Sequence, residues 1–288
     1  MENIKVYDVR FLKGDSAFLI DDGKTSILYD TGFGFTGYKV AENIKKILGD
    51  RKLDYIFLTH SHYDHALGSA YILRYYPEAC VVAGKYAADV FKRDGAKRKM
   101  KELDNSFAKD CGFPEYEFLG DELRVDIAVS DGDIVKAGDL EFEILELPGH
   151  TNCSVGYYCK EKKLFLSSET LGVYVGDNRI LPVFLVSCSR GIESIDKVLG
   201  YDIEYVLAPH YGILTPEETK FFLNNVKPSA TYFVEKYREF IREGKSNEEI
   251  VEIFKELLWK GYVKEIYPEE ALKLNTSIMA ELVRKEYA

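Results

Sequence analysis

Metal-ligand side chains are concentrated in one short stretch of the sequence, which has the pattern His-x-His-x-Asp-His. Its members are His60, His62, Asp64 and His65. Imidazole and carboxylate groups are ligands that zinc, iron and manganese all accept. The apolar residues 54–58 before the motif predict a buried strand, and residues 68–73 after it predict the start of a helix. We therefore expect a metal site on a strand-to-helix loop, where side chains can converge on one point.

The remaining two of the five histidines stand in the same kind of position. His150 follows the apolar residues 145–147, and His210 follows residues 205–208. Both runs predict strands, so every histidine of the chain lies in a loop after a strand. A few hydrogen-bonded core histidines would be the ordinary alternative, but they would not share this position. We expect all five histidines to be metal ligands.

The composition restricts the partners of the chain. Its 288 residues carry a formal net charge of −10, which argues against a nucleic-acid partner, because binding to phosphate backbones needs a cationic surface. A small anionic substrate stays compatible with this charge, since a bound dication supplies a local positive field. No run approaches the roughly 18–20 apolar residues of a membrane helix, and the N-terminus has no apolar signal core. We expect a cytoplasmic protein with a small-molecule substrate and no membrane partner.

Turn residues and hydrophobic periodicity divide the chain into short elements. Strands are predicted at 4–8, 16–21, 25–30, 79–83, 123–129, 140–147, 154–159, 163–168 and 203–208, and helices at 37–49, 69–76 and 190–200. Residues 171–188 are predicted to be a loop. The basic residues between 85 and 110 are interpreted as a solvated helical face or as a contact for a substrate anion. Two packed sheets with helices outside would bring all of the histidine loops to one edge.

Residues 215–288 differ from the rest of the chain because their pattern is helical. Thr215 and Ser246 each begin a capping-box signature, and Pro268 opens a further helix. We divide the chain into a sandwich domain, 1–214, and a helical extension, 215–288. The extension is expected to pack on the sandwich or to form a lid or a homodimer surface. Its candidate aromatic residues for such a role are Tyr232, Tyr237 and Trp259.

The order of these motifs resembles that of the metallo-β-lactamase-fold hydrolase superfamily over roughly residues 1–215. The motif is followed by His150, by an acidic residue after a hairpin strand, Glu169, and by His210. The resemblance implies an α/β fold, a four-layer αββα sandwich with one or two divalent metal ions at one edge. It implies two ligand sets, namely His60, His62 and His150, and Asp64, His65 and His210. It also implies that Glu169 bridges the ions and that Asp30 orients a ligand histidine, although Asp30 is equally typical of a plain turn.

Glu169 departs from the family pattern, which has Gly-Asp where this chain has Ser168-Glu169. Glutamate is longer by one methylene, about 1.5 Å, so it would bridge two ions, bind one or bind none. The number of ions, one or two, and their identity, zinc or else iron or manganese, therefore stay open. The β-lactamases of similar layout use a cysteine ligand near this position. Neither Cys153 nor Cys188 falls there, which argues against antibiotic hydrolysis.

The chemistry expected of such a site is hydrolysis by a metal-activated water. Asp64 lies among ligand histidines and is a candidate to carry the proton. Tyr211, next to His210, and Tyr63, inside the motif, are candidates to donate a hydrogen bond to an oxyanion, with packing as the alternative role. We predict a metal-dependent hydrolase of a small ester, thioester or lactone. The alternatives are a phosphodiesterase, a persulfide dioxygenase that uses one iron, and a non-catalytic ligand-binding or sensor protein with an altered metal site.

Overall fold

The computed structural model describes residues 3–287, which form two six-stranded sheets and a small hairpin. The first sheet has its strands in chain order: β1 Lys5–Asp8, β2 Phe18–Asp21, β3 Ser26–Tyr29, β4 Tyr55–Phe57, β5 Cys80–Gly84 and β6 Ile127–Val129. Pairing is antiparallel from β1 to β3 and parallel from β3 to β6. The parallel half contains β4, the strand that leads into the histidine motif.

The later strands form the second sheet and the hairpin. They are β7 Ile134–Ala137, β8 Leu140–Glu146, β9 Val155–Cys159, β10 Leu164–Leu166, β11 Val173–Tyr174, β12 Ile180–Leu181, β13 Tyr205–Ala208 and β14 Gly212–Ile213. The second sheet has the order β14-β13-β10-β9-β8-β7, and β11 pairs with β12 in the hairpin. The helices are α1 Gly37–Leu48, α2 Tyr63–Ala66, α3 Gly68–Tyr75, α4 Lys85–Val90, α5 Asp94–Asp110, α6 Cys188–Leu199, α7 Pro216–Arg242, α8 Asn247–Leu258, α9 Tyr262–Ile266 and α10 Glu269–Tyr287.

The two sheets pack face to face through aromatic side chains. Phe57 of β4 stacks on Tyr157 of β9, with ring centroids 4.6 Å apart, and Phe142 of β8 meets Phe57 edge-on. Helices α1 and α3 bury their apolar faces, including Val40, against the outer side of the first sheet. Helix α6 does the same on the second sheet through Ile195. The predicted four-layer αββα sandwich is confirmed.

The helical tail shares a core with the second sheet. Phe222 and Val226 of α7 and Phe254 of α8 are buried in one cluster with Phe165 and Val206 of the second sheet. The capping boxes predicted at the starts of α7 and α8 are both formed. The division of the chain into two domains stays a prediction. Within residues 3–287, no helix is both long and apolar enough to cross a membrane.

Several segments differ from the predicted elements, and strands β7 and β14 lie where none was predicted. The strand predicted over 123–129 begins only at Ile127, because a 3₁₀ turn, Gly120–Glu122, and an irregular stretch precede it. Residues 171–188, predicted to be a loop, contain the β11–β12 hairpin and the start of α6. Strands of two residues are too short to show an alternating pattern, so sequence periodicity does not reveal them.

The start of α3 is packed against the loop that follows β3. A Cβ atom added to Gly68 would lie 2.0 Å from the backbone oxygen of Thr31, whereas one added to Gly95 in α5 would meet only Arg98 Nη2, at 3.8 Å. We expect Gly68→Ala to lower the free energy of unfolding by about 2–3 kcal/mol, because the backbone must move. The matched change Gly95→Ala is expected to raise it by up to about 1 kcal/mol through helix propensity. Urea denaturation of both variants tests this, and equal midpoints would contradict it.

Candidate metal centre

The predicted ligand side chains follow strands that end at one edge of the sandwich. The motif residues 60–65 follow β4, His150 follows β8, Glu169 follows β10 and His210 follows β13. Strand β9 is antiparallel to both β8 and β10, and β10 is parallel to β13, so these three ligand-bearing strands run in the same direction. Their carboxyl ends therefore meet at the same edge of the second sheet, where the end of β4 faces them across the sandwich.

The His210 loop needs an unusual backbone. His210 has a φ of 60°, in the left-handed region that residues other than glycine seldom adopt. Its carbonyl oxygen accepts hydrogen bonds from Arg10 Nη1 and from the Tyr262 hydroxyl, the latter at 2.6 Å, and its Nδ1 lies 3.0 Å from Gly14 O. These contacts hold the residue from both sides and direct its Nε2 towards the other ligand candidates.

The structure gathers all seven ligand candidates into two adjacent groups. One group comprises His60, His62, His150 and Glu169, and the other Asp64, His65 and His210, and within each group the ligand atoms lie within 4.8 Å of one another. Glu169 lies between the groups, because its Oε2 is 2.8 Å from His150 Nε2 and its Oε1 is 3.4 Å from His210 Nε2. A carboxylate in this place is suited to contact cations on both sides. That these residues bind metal stays a prediction.

The hydrogen bonds of the outer ring nitrogens indicate the tautomers of three histidines, His65, His150 and His210. His150 Nδ1 lies 2.8 Å from the carbonyl oxygen of Val183 and His65 Nδ1 lies 2.7 Å from Asp30 Oδ2. Carbonyl and carboxylate oxygens only accept, so both Nδ1 atoms carry the proton and donate, as the Nδ1 of His210 does. The Nε2 atoms therefore present lone pairs to the inside of the cluster, which is the state that binds a metal.

Several inward-facing nitrogens are left without an ordinary hydrogen-bond donor. His60 Nε2 is buried and has no hydrogen-bond partner among residues 3–287. The Nε2 atoms of His65 and His210 lie 3.1 Å apart, and two lone pairs this close repel each other unless a proton or a cation lies with them. An unpartnered buried nitrogen and facing lone pairs are the donor set that a divalent ion satisfies. The residues present therefore fit divalent metal ions.

The electrostatics of the cluster point the same way. Burial, reinforced by the neighbouring histidines, lowers the pKa of His60 and of His62 well below the usual value, so both rings are neutral at pH 7. Burial opposes the protonation of His65, but Asp64 and Asp30 outweigh it and raise its pKa well above the usual value. The carboxylates thus create a field that favours a positive charge at the centre, whether that charge is a proton or a metal cation.

The two tyrosines predicted to assist catalysis have different surroundings. The Tyr211 hydroxyl donates to Glu218 Oε1 at 2.9 Å, and its ring packs edge-on against Tyr174. The structure therefore engages this hydroxyl at the start of α7 rather than with the ligand cluster. The Tyr63 ring packs against Phe33, with centroids 5.6 Å apart. An oxyanion role stays a prediction for both hydroxyls, and the hydrogen bond to Glu218 does not favour it for Tyr211.

The tail reaches the cluster through residues that the sequence did not single out. Tyr267 follows α9, and its hydroxyl donates to Glu169 Oε1 at 2.5 Å. The Tyr262 hydroxyl donates to the carbonyl oxygen of His210. Of the three aromatic residues named from the sequence, Tyr232 is exposed, Tyr237 stacks on Phe254 in the tail core, and Trp259 donates to the backbone oxygen of Tyr267. The chain has 21 tyrosines. The one sequence feature that distinguishes Tyr262 and Tyr267 is their position in the short segment 261–268, between α8 and α10.

Comparison with known proteins identifies the family. The sequence profile of the metallo-β-lactamase superfamily matches residues 13–210, a span that contains all seven ligand candidates. The chain belongs to the metallo-β-lactamase superfamily. A crystal structure of an archaeal metallo-β-lactamase superfamily protein from Sulfolobus tokodaii superposes on 95% of this chain and 94% of its own, with a TM-score of 0.59 and 16% identity. At that identity the likeness concerns the fold, and it extends over the helical tail of this superfamily member.

Relatives of known description match over part of their length. A probable hydroxyacylglutathione hydrolase of Schizosaccharomyces pombe is 30% identical over 185 residues, which are 63% of this chain and 54% of that protein. An acyl-coenzyme A thioesterase of Gallus gallus is 26% identical over 167 residues, or 55% of this chain and 57% of the thioesterase. A hydroxyacylglutathione hydrolase of Haemophilus influenzae is 28% identical over 173 residues, or 59% of this chain and 72% of the hydrolase. The chain thus spans little more than half the length of the first two relatives.

Proposed function

We propose that this metallo-β-lactamase superfamily member is a metal-dependent hydrolase of small thioesters. The observation that carries the proposal is the convergence of five imidazoles and two carboxylates in two adjacent groups, with the buried Nε2 of His60 left without a hydrogen-bond partner in the described residues. Such a site is typical of metal-assisted hydrolysis. Thioesters are the substrate class that the relatives share by name, because acylated glutathione and acyl-coenzyme A are both thioesters. We propose zinc as the metal, since imidazole with carboxylate is a common zinc ligand set, and iron or manganese as the alternatives.

The residues divide naturally into roles. His60, His62 and His150 would hold one ion and Asp64, His65 and His210 a second, with Glu169 between them. Metal ions in such a site acidify water and polarise a carbonyl oxygen. Asp64 has a side chain that is 13% exposed, against 3% for Glu169, so it is the carboxylate placed to exchange a proton with solvent.

A substrate screen tests this proposal. Protein loaded with zinc is assayed with S-lactoylglutathione, acetyl-coenzyme A, a lactone and bis-p-nitrophenyl phosphate, before and after a chelator. We expect the thioesters to be hydrolysed, the chelator to abolish turnover and added zinc to restore it. Thioester turnover that persists at full rate in protein shown by elemental analysis to be metal-free would contradict the proposal. So would a screen in which only the phosphodiester, or no substrate, reacts.

A further inference from the structure

The Tyr267 hydroxyl is the one described tail side chain that hydrogen-bonds a carboxylate of the ligand cluster. It donates to Glu169 Oε1 at 2.5 Å, and both residues are buried, Glu169 with 2% of its surface exposed. The other carboxylate oxygen, Oε2, faces His60, His65 and His150 at 3.6, 3.6 and 2.8 Å. Oε1 also lies 3.4 Å from His210 Nε2, so the hydroxyl holds the carboxylate oxygen that faces the second ligand group.

Tyr267 is itself held firmly in place. Its amide donates to Val263 O at 2.9 Å, and its carbonyl oxygen accepts from Trp259 Nε1 at 3.1 Å. The ring also lies next to His210, with centroids 5.9 Å apart. The ring is also buried in an apolar cluster with Val263 and Leu272, so the contacts that hold it do not rest on the hydroxyl alone. We therefore expect removal of the hydroxyl to affect Glu169 and to leave the tail in place.

We propose that Tyr267 is a positioning residue that holds the Glu169 carboxylate between the two ligand groups and so sets how tightly the second metal ion binds. This inference rests on the proposed function, since it assumes that the cluster binds metal. Glutamate has one more rotatable bond than aspartate, and a bridging carboxylate must keep one orientation. The Tyr267 hydroxyl restricts that additional freedom. The tail thereby takes part in metal binding without supplying a ligand.

The two ligand groups do not depend equally on Glu169. Tyr267 contacts Oε1, the oxygen that lies 3.4 Å from His210 Nε2 in the second group, whereas Oε2 lies 2.8 Å from His150 Nε2 in the first. Loss of a well-placed bridging carboxylate therefore weakens the ion in the second group more. An outer hydrogen bond to a metal ligand is typically worth 10–100-fold in metal affinity. We expect an effect of about that size on the second ion.

Titration of the metal-free protein with cobalt(II) alone tests the inference, with visible absorption and calorimetry as readouts. Wild-type protein is expected to bind two equivalents, and Tyr267→Phe is expected to bind the second about 10–100-fold more weakly with a changed absorption spectrum. The matched control is Tyr237→Phe, which removes another buried tail hydroxyl, and it should titrate like the wild type. Circular dichroism of each variant monitors the fold.

A double-mutant cycle separates positioning from a general effect on structure. In Glu169→Asp the carboxylate is shorter by one methylene and is withdrawn from Tyr267, so adding Tyr267→Phe should then change the cobalt affinity little. Two equivalents bound with unchanged affinity in Tyr267→Phe would overturn the inference alone. Uptake of one equivalent by the wild type would overturn it while leaving a one-metal hydrolase in place. Uptake of none would overturn both the inference and the proposed function.

Discussion

Replacement of His60 by alanine is expected to lower thioester hydrolysis by at least about a hundredfold, because a lost metal contact removes several kcal/mol of transition-state stabilisation. The side chain is fully buried, and its Nε2 lacks a hydrogen-bond partner within the described part of the chain. Its ring lies 4.0 Å from that of His65 and 4.9 Å from that of His150, measured between centroids. It is therefore at the centre of the cluster, and alanine offers no replacement ligand.

Metal analysis of the His60→Ala variant should also distinguish the two ligand groups. The group of Asp64, His65 and His210 does not include His60. Elemental analysis is therefore expected to find about one ion per chain in His60→Ala and two in the wild type. Circular dichroism and gel filtration establish whether the fold is retained. A folded variant with the metal content and turnover of the wild type would show that His60 is an ordinary core histidine.

The second large effect is expected from Asp30→Asn, a change outside the ligand set. Asp30 is fully buried and accepts hydrogen bonds from the Ser16 hydroxyl at 3.0 Å, the Thr59 amide at 2.8 Å and His65 Nδ1 at 2.7 Å. An asparagine amide turned towards His65 would donate where the carboxylate accepts. The proton of His65 would then move to Nε2, which is the atom directed at the cluster. Metal affinity should fall about 10–100-fold.

The backbone makes this substitution a clean test. Asp30 has a φ of 51°, and asparagine and aspartate both adopt the left-handed region more readily than most other residues, so the turn after β3 is expected to be retained. The matched control is Asp139→Asn, which removes an aspartate whose side chain is 75% exposed in an ion pair with Lys24. Competition with a chromophoric chelator measures the zinc affinity of both variants. Equal affinities for Asp30→Asn and the wild type would assign Asp30 to the turn alone.

The sequence was informative about the ligand candidates because of a simple geometric rule. Residues that follow strands running in one direction share a sheet edge, so histidines after predicted strands could be expected to meet. The four-layer sandwich followed from the same pattern together with the family resemblance, and the capping signatures at Thr215 and Ser246 placed the starts of two tail helices. Each of these inferences used a local signal that depends on only a few neighbouring residues.

The tail contacts had no comparable signal. Tyr267 reaches Glu169 across 98 positions of the sequence, and Tyr262 reaches His210 across 52. Helix α9, which begins at Tyr262 and ends just before Tyr267, has five residues, too few for an apolar period to orient it. Tyr211, next to a ligand histidine in sequence, proved to be hydrogen-bonded to Glu218. The closeness of Tyr211 to His210 in sequence did not predict where its side chain points. His210 has a φ of 60°, and the chain turns there.

The ligand candidates come from both sheets, so metal ions bound to them would also affect the stability of the sandwich. Residues 60–65 leave the first sheet, whereas His150, Glu169 and His210 leave the second. Ions held between them would act as a reversible cross-link that closes a chain segment of about 150 residues, and the free energy of metal binding would become folding free energy. At low metal concentration, the contact between the two sheets would then open first at the edge that carries the ligand candidates. The stability of the protein would rise with the free metal concentration around it.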